Sequence, residues 1–408
     1  MPYLFSIAIK NLLRSKRRTF LTFLILSVGI MFYLFMDGLI KGYKTQSINN
    51  FIQFDTGHIK IRSENFDKED PYNIENFIDN PSEVLTILSK KPYVKAYTER
   101  IQFLAEADNG KDSLPVVVVG VDEENDSKVF NLTNYVIRGD FVSGEALIGE
   151  NLAKDMNVDV GDSIYITFRN KYGTIDSVEV YISGVLFTAD PVVNSSTVFI
   201  SLNDAKSYLA TESVTEISII TENYKHDRKF ISDLKNDLKN YKIESWRELV
   251  SGIEAAAKQD EVTTYIFVFF ILIIAIVGII NTMLMSVYEK VREIGTLKAL
   301  GMTDREVEIV FVLEGLVIGV IGGILGIMLG ALVNWYFVKY GIDYTALMGK
   351  ENENIMASLR LVGIVKSRWD IASFVYAFLI SVITSTLASY YPAKKTSQMQ
   401  PAEALRSV

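Results

Sequence analysis

The chain has 408 residues, 49% of them hydrophobic, with 41 Lys and Arg against 49 Asp and Glu and no cysteine. This length allows two or three domains, and the absence of cysteine excludes disulfide bonds and a cysteine-linked lipid within the chain. The hydrophobic residues are concentrated in four long runs, which is typical of a membrane protein and not of a soluble globular protein.

Each of the four runs is close to the ~20 residues that cross a hydrocarbon core of ~30 Å. They predict transmembrane helices at residues 20–40, 265–285, 309–338 and 371–391. The first run follows a basic segment, as in a signal peptide, but it has no small-residue cleavage site and is longer than the usual signal core. We therefore interpret it as an uncleaved anchor.

Lys and Arg close to these runs concentrate in residues 1–19, 286–308 and 392–408. Because cytoplasmic segments carry the excess of Lys and Arg, we predict that both termini are cytoplasmic. Residues 41–264 and 339–370 are then extracytoplasmic. Residues 41–264 carry 24 Lys and Arg against 37 Asp and Glu, a net charge of −13, and the remainder of the chain carries +5. An acidic exported domain on a basic membrane anchor is not a nucleic-acid binder.

Residues 1–19 precede the first span and predict a cytoplasmic amphipathic helix. Leu4, Ile7, Ala8 and Leu12 share one face, and basic residues follow. Such a helix lies in the membrane interface. The alternative is a simple helical continuation of the first span.

The segment 41–264 alternates between strand-like and helix-like patterns and predicts a periplasmic α+β domain. A polar helix is expected at residues 41–54, and two lobes with a boundary between residues 121 and 140. Further helices are expected at residues 81–90, 150–156, 202–209 and 227–238. Strands are expected at residues 57–62, 100–107, 114–121, 144–149, 163–168, 178–185, 196–200, 216–221 and 241–246. Residues 248–262 run without a helix breaker into the second span, which predicts one long helix and a rigid connection to the domain.

A short charged helix is predicted within residues 286–308, between the second and third spans, where it would lie at the membrane surface. Its apolar residues recur every third position and form one stripe. These residues are Val291, Ile294, Leu297 and Leu300. The helix is either a solvated loop element or a docking site for a soluble motor protein.

The third span contains two sets of glycines with a spacing of four residues. They are Gly315, Gly319 and Gly323, and Gly322, Gly326 and Gly330. Small residues at this spacing let helices approach closely in lipid, in a static or a movable contact. Glu314 lies one turn inside the span, where we favour pairing with a coupling-helix cation such as Arg292 or Arg305, or extension to the surface, over ion translocation.

Sequence signals for catalysis are absent. No phosphate-binding loop of the G-x-x-x-x-G-K-[ST] type occurs, and the two histidines, His58 and His226, have no cysteine to join them in a metal site. No carboxylate spacing isolates a catalytic pair. We predict a membrane α-helical protein with an α+β domain that is not an enzyme and holds neither a metal nor a cofactor of its own.

Several segments together resemble permease subunits of the MacB/LolC/LolE type of ABC transporter, the FtsX-like permeases. They are residues 8–19, the stretches 145–153 and 160–162, residues 289–301 with Glu314-Gly315, and the C-terminal residues 391–395 and 400–406. The resemblance covers nearly the whole chain. It implies four membrane helices, a dimer of permeases, and a bacterial inner-membrane location.

The resemblance also implies function. The expected partner is a dimeric ABC ATPase on a separate chain, which would hold ATP and Mg²⁺, together with a second permease copy or paralogue. The arrangement is most like LolC and LolE and implies extraction of lipoproteins from the membrane lipids for a periplasmic carrier. The implied ATPase-coupling residues are Glu289, Lys290, Arg292, Glu293, Gly295, Lys298 and Gly301. An apolar substrate cavity is expected to be lined by Met31, Phe32, Phe35, Ile266, Phe269 and Phe270. The alternative is that the aromatic residues of this set face lipid, because periodicity does not separate the two.

Three alternatives remain at the level of sequence. A MacB-like exporter of peptides or drugs would use the same coupling helix with a periplasmic adaptor. A transmembrane transducer would instead control a cell-wall hydrolase. An independent membrane receptor would leave the coupling-helix sequence without a purpose.

Overall fold

The computed structural model describes residues 2–14, 16–222, 227–348 and 362–399. His226 and the C-terminal stretch 400–406 lie outside these residues. The chain divides into two compact units. We call residues 1–43, 256–342 and 365–408 the membrane unit, and residues 44–255 with 343–364 the large domain.

The described elements are numbered in chain order. The helices are α1 Pro2–Arg14, α2 Lys16–Phe51, α3 Pro81–Leu88, α4 Glu123–Val129, α5 Glu150–Asp155, α6 Pro191–Ser196, α7 Leu202–Leu209, α8 Asp227–Asp237, α9 Trp246–Leu249, α10 Ser251–Ala299, α11 Asp304–Lys339, α12 Tyr344–Met348 and α13 Ile371–Ser397. The strands are β1 Ile59–Ser63, β2 Val94–Asp108, β3 Ser113–Val121, β4 Val136–Gly139, β5 Ala146–Gly149, β6 Ser163–Arg169, β7 Ile175–Leu186, β8 Thr197–Ser201, β9 Glu216–Thr221, β10 Tyr241–Ser245, β11 Ile342–Asp343 and β12 Ile364–Val365. A π-helical turn, Ile52–Thr56, extends α2, and 3₁₀ turns occupy Ile74–Asn76 and Leu132–Tyr135.

Helices α2, α10, α11 and α13 are long and apolar enough to cross a membrane. They contain the four predicted spans. Helix α1 precedes them and has the predicted apolar face, with Leu4 and Ala8 buried and Phe5 and Ile9 exposed. The polar helix expected at residues 41–54 is the C-terminal part of α2 and its π-helical turn.

The charged helix expected between the second and third spans is not a separate element. Residues 289–299 are the last turns of α10, which runs unbroken for 49 residues from Ser251. No proline interrupts this stretch, and the isolated Gly295 is tolerated in a helix at a cost of about 1 kcal/mol. The buried side chains of Met283, Val287 and Ile294 continue one face from the span into the charged segment, so packing holds the helix together there.

The two glycine sets of α11 face two different helices. An ideal Cβ on Gly315 would lie 2.2 Å from the Ser389 hydroxyl of α13, and one on Gly326 would lie 2.7 Å from Ile30 of α2. These glycines let the backbones approach because no side chain separates them. Hydroxyl groups bond across the same contacts: Ser381 and Ser385 donate to the carbonyl oxygens of Gly319 and Gly315, at 2.7 and 2.5 Å.

The large domain is built on a ten-stranded sheet in the order β10-β1-β9-β2-β3-β8-β5-β7-β4, with β6 pairing both β2 and β7. Because β6 joins β2 to β7, six strands close a ring: β2, β3, β8, β5, β7 and β6. Pairs β3/β8 and β5/β7 are parallel. Buried residues such as Phe103, Val118, Ile148 and Ile166 belong to one continuous core.

The expected two lobes of this domain are not separated by a linker at residues 121–140. Residues 44–255 fall in a single compact unit, and the expected boundary, residues 121–140, holds α4, a 3₁₀ turn and β4. Phe130 and Leu132 of this stretch pack with Val119 and Phe199 in a second core on the sheet. Strand β2 also begins at Val94, six residues earlier than predicted, and α4, β4 and α6 were not predicted.

Candidate coupling site

The turn between α10 and α11 is a tight connection of four residues, Leu300 to Thr303. Gly301 has φ of +101°, a conformation that favours glycine. Thr303 caps α11 in a capping box, in which the backbone N–H of Thr303 donates to Glu306 Oε2 at 2.9 Å. The side chain of Leu300 is 80% exposed on this turn, which makes it a prominent apolar contact point.

A buried polar cluster joins α1, α10 and α11 below this turn. Asn11 Nδ2 donates to Glu314 Oε1 at 2.5 Å, and Lys290 Nζ lies 3.9 Å from the same oxygen. Glu314 is 1% exposed. The expected pairing with a cation of the coupling segment is thus found at Lys290, whereas Arg292 and Arg305 are exposed. Lys290 takes this place because it lies on the same helix face as the buried Val287 and Ile294.

Lys298 ties the end of α10 to the end of α13. Its Nζ donates to the carbonyl oxygens of Ser397 and Met399, at 2.8 and 2.7 Å, and lies 2.8 Å from Asp304 Oδ1. The last carbonyls of a helix have no partner within the helix and carry partial negative charge, so a lysine stabilises them. Lys298 thus acts inside the membrane unit and does not extend from it.

Helix α1 is fastened to the same region by two exposed contacts. Arg14 forms an ion pair with Glu293, and the Tyr3 hydroxyl donates to Glu306. The hydrogen bond to the Glu306 carboxylate raises the pKa of Tyr3. Exposed ion pairs contribute only about 0–1 kcal/mol, so these contacts position α1 more than they stabilise it.

The structure divides the seven predicted coupling residues. Lys290, Gly295 and Lys298 are directed inward, whereas Glu289, Arg292 and Glu293 are exposed beside the turn that holds Gly301. A shallow groove with a volume of about 40 Å³ lies between α1, α10 and α11. Its lining residues are Ile7, Asn11, Lys290, Glu293, Ile294, Leu297, Met302, Val307, Val310 and Phe311.

The six predicted cavity residues lie on α2 and α10. Ile266, Phe269 and Phe270 are exposed on α10. Met31, Phe32 and Phe35 are partly buried on α2, and the Phe35 ring contacts Phe337, with 4.8 Å between centroids. An apolar cavity does occur between α2, α10 and α13, and none of the six lines it.

Sequence analysis missed a buried charge cluster in the large domain. Arg100 forms a two-point ion pair with Asp126, at 2.7 and 2.9 Å, and also donates to the carbonyl oxygen of Phe54 at 3.2 Å. Lys60 Nζ lies 2.9 Å from Asp55 and 2.8 Å from Glu216. These contacts hold the π-helical turn of α2 on the sheet. The signal was available: Lys60, Glu216 and Arg100 are charged residues inside otherwise apolar strand patterns.

Two family profiles match the chain. The FtsX-like permease C-terminal family matches residues 265–401, and the MacB-like periplasmic core domain family matches residues 19–236, more than half of the chain. The chain belongs to the MacB/FtsX-like permease family. It is an ABC transporter permease of the MacB/LolC/LolE type.

Curated relatives of this permease carry two kinds of name. The macrolide export ATP-binding/permease protein MacB of Haemophilus ducreyi is 25% identical over 98% of this chain and 55% of its own length. The lipoprotein-releasing system transmembrane proteins of Haemophilus influenzae are LolE, 22% identical over 78% of the chain and 79% of its own length, and LolC, 26% identical over 66% and 65%. The chain thus spans about half the length of the MacB relative.

Among solved structures, the permease is similar to the periplasmic region of MacB from Actinobacillus actinomycetemcomitans. The match covers 51% of this chain and 98% of that chain, with 15% identity and a TM-score of 0.36.

Proposed function

We propose that the chain is a permease subunit of an ATP-driven transporter that releases lipoproteins from the bacterial inner membrane to a periplasmic carrier. The observation that carries the proposal is the match to LolE and LolC, both named as lipoprotein-releasing proteins, over 78% and 66% of this chain. ATP hydrolysis would take place on a partner ATPase dimer, with ATP and Mg²⁺ bound there.

The α10–α11 turn is the proposed docking point for that ATPase. It combines the exposed Leu300 with the charged side chains of Glu289, Arg292 and Glu293 at the end of a long helix. At 1.5 Å per residue, the 49 residues of α10 extend about 70 Å, more than twice the ~30 Å of a hydrocarbon core. A displacement at the turn is therefore transmitted along one continuous helix that leads in sequence to the large domain.

The proposed orientation follows the basic residues. Lys and Arg flank the end of the membrane unit that carries α1 and the turn, so this end would be cytoplasmic and the large domain periplasmic. The docking turn and ATP would then lie on the same side of the membrane.

Mechanical work suits this substrate class. Each buried CH₂ of an acyl chain contributes ~0.8 kcal/mol to membrane anchoring, so a lipoprotein with several chains leaves very slowly without a motor. The exposed Ile266, Phe269 and Phe270 would present an apolar surface to lipid acyl chains or to a second permease.

A second candidate is export of peptides or drugs with a periplasmic adaptor. The match of the MacB-like periplasmic core domain to residues 19–236 favours it.

Purification of the tagged full-length chain from its native host tests the proposal. We expect an ABC ATPase and triacylated lipoproteins to co-purify, both identified by mass spectrometry. An ATPase with an adaptor protein and no lipoprotein would support export and contradict lipoprotein release. Purification without any ATPase would contradict both candidates. A variant with Glu289→Lys and Arg292→Glu tests the docking turn. It should lose the ATPase and still be inserted in the membrane.

A further inference from the structure

Residues 365–370, which we call the latch, lie against α2 at two glycines. An ideal Cβ on Gly42 would lie 2.1 Å from the carbonyl oxygen of Lys366, and one on Gly38 would lie 2.5 Å from Ser367 Oγ. The neighbour of Gly42 is backbone, which cannot turn aside as a long side chain can. The latch therefore occupies a slot that only glycine leaves open.

Hydrogen bonds fix the latch to both α2 and α11. The Arg368 backbone N–H donates to the Gly38 carbonyl at 3.0 Å, and that of Ser367 donates to the Phe337 carbonyl at 3.2 Å. Asn334 of α11 is buried and bonds to the latch twice, accepting from the Ser367 hydroxyl and donating to the Arg368 carbonyl at 3.4 Å. A buried amide that meets its partners in this way specifies one arrangement, because any shift leaves it unsatisfied.

An ion-pair cluster attaches the latch to α13 as well. Lys41 of α2 bonds to Asp370, the last residue of the latch, and to Ser373 of α13 at 2.7 Å. Asp370 in turn caps α13 by accepting from the Ala372 N–H at 3.1 Å. Lys41 also pairs with Asp37 at 2.9 Å. One short segment thus connects α2, α11 and α13.

The close contacts of α11 continue this connection along the helices. Its glycines pack on α2 and α13 as described above, and Ser27 of α2 donates to the Gly322 carbonyl at 3.0 Å. Residues 16–43 of α2, together with α11, α13 and the latch, are therefore joined by backbone contacts and buried hydrogen bonds. We call this set the latched block.

Helix α10 is attached differently. Of the 18 most apolar consecutive residues of α10, 22% are buried, against 33–39% of the corresponding residues in the other three spans. It meets α2 through side chains, such as Ile271 at Gly29 and Thr282 at Thr22. An apolar cavity of only about 20 Å³ lies between α10, α2 and α13. Helices with few buried contacts move at lower cost than close-packed helices.

We propose that the latched block moves as one rigid body and that residues 265–282 of α10 shift against it. The proposal concerns the membrane unit itself and holds whatever the transporter carries. The shift is confined to this part of α10 because the end of α10 at the α10–α11 turn is held to α11 and α13 through Lys290 and Lys298.

Spin-label distances in the full-length chain test this directly, because the chain has no cysteine of its own. One label pair is Val28→Cys with Leu379→Cys, across the block from α2 to α13. The other is Val28→Cys with Val277→Cys, from α2 to α10. The three labelled positions, 28, 277 and 379, are all exposed. Labelled chain is mixed with an excess of unlabelled chain to suppress distances between copies.

We expect the α2–α10 distance distribution to be broader than the α2–α13 distribution. Equal widths, or a broader α2–α13 distribution, would overturn the proposal.

Glycine variants test the latch. Gly42→Ala and Gly42→Val should broaden the α2–α13 distribution and speed hydrogen exchange in residues 365–370. Gly278→Ala on α10 is the control, because its Cβ would meet Ile25 at an ordinary 3.5 Å. If both Gly42 variants leave the distribution and the exchange as they are in the unmodified chain, the latch does not hold the block. Gly42→Ala, the milder change, serves if Gly42→Val does not fold.

Discussion

Two lysines in the segment 289–301 show how burial decides the role of a charged residue. Lys290 and Lys298 are part of the charged face expected from sequence, yet Lys290 lies next to Glu314 and Lys298 bonds to carbonyls at the end of α13. The position of Lys290 was readable, since it follows Met283 and Val287 at helical spacing on one buried face. The position of Lys298 was not, because it depends on where another helix ends.

The buried pair of Arg100 and Asp126 gives a prediction at the scale of single residues. Arg100→Ala leaves the Asp126 carboxylate buried without its partner and the Phe54 carbonyl without a donor, so the large domain should lose about 3–5 kcal/mol of stability. Thermal unfolding of the full-length chain in detergent, with hydrogen exchange at β2 and α4, measures the loss.

Lys128→Ala is the matched control in α4, because its ion pair with Glu124 is exposed and should contribute at most about 0.5 kcal/mol. Equal effects of the two variants would show that the Arg100 pair does not hold this part of the domain together.

At the scale of elements, helix patterns were predictable and helix partners were not. The four spans, the long helix through the second span and the two glycine sets follow from apolar run length and spacing. Which set faces α2 and which faces α13 depends on tertiary packing, which no local pattern encodes. The charged end of α10 was predicted as a separate helix because its composition changes there, although the buried face continues without a break.

The same glycines differ in how easily their neighbours can give way. At Gly315 an added Cβ would meet the Ser385 carbonyl at 2.9 Å as well as Ser389, and it would disturb the bond from the Ser385 hydroxyl. At Gly330 it would meet the flexible side chain of Leu34. We therefore expect Gly315→Ala to destabilise the membrane unit by about 1–3 kcal/mol, typical of overpacking, and Gly330→Ala to have a smaller effect.

Thermal unfolding of both variants in detergent checks this order. The reverse order would mean that the contact with α13 is looser than the distances indicate.

At the scale of the whole molecule, composition identified a membrane unit and an α+β domain but not the closed ring of strands. The ring depends on β6 pairing with the distant strand β2 as well as with its neighbour in sequence, β7. Strand patterns give the face of each strand and not its neighbours. Residues 121–140, expected as the boundary between two lobes, pack on the sheet in the structure.

The central claim is that the α10–α11 turn is where a partner ATPase binds. Leu300 is 80% exposed on this turn, and Tyr172, in the β6–β7 connection of the large domain, is 79% exposed and serves as the matched control. The most direct measurement places a photo-crosslinking amino acid at either position in cells and identifies the captured proteins by mass spectrometry. The account predicts that position 300 captures an ABC ATPase and that position 172 does not. Capture of the ATPase from position 172, or no ATPase from position 300, would contradict it.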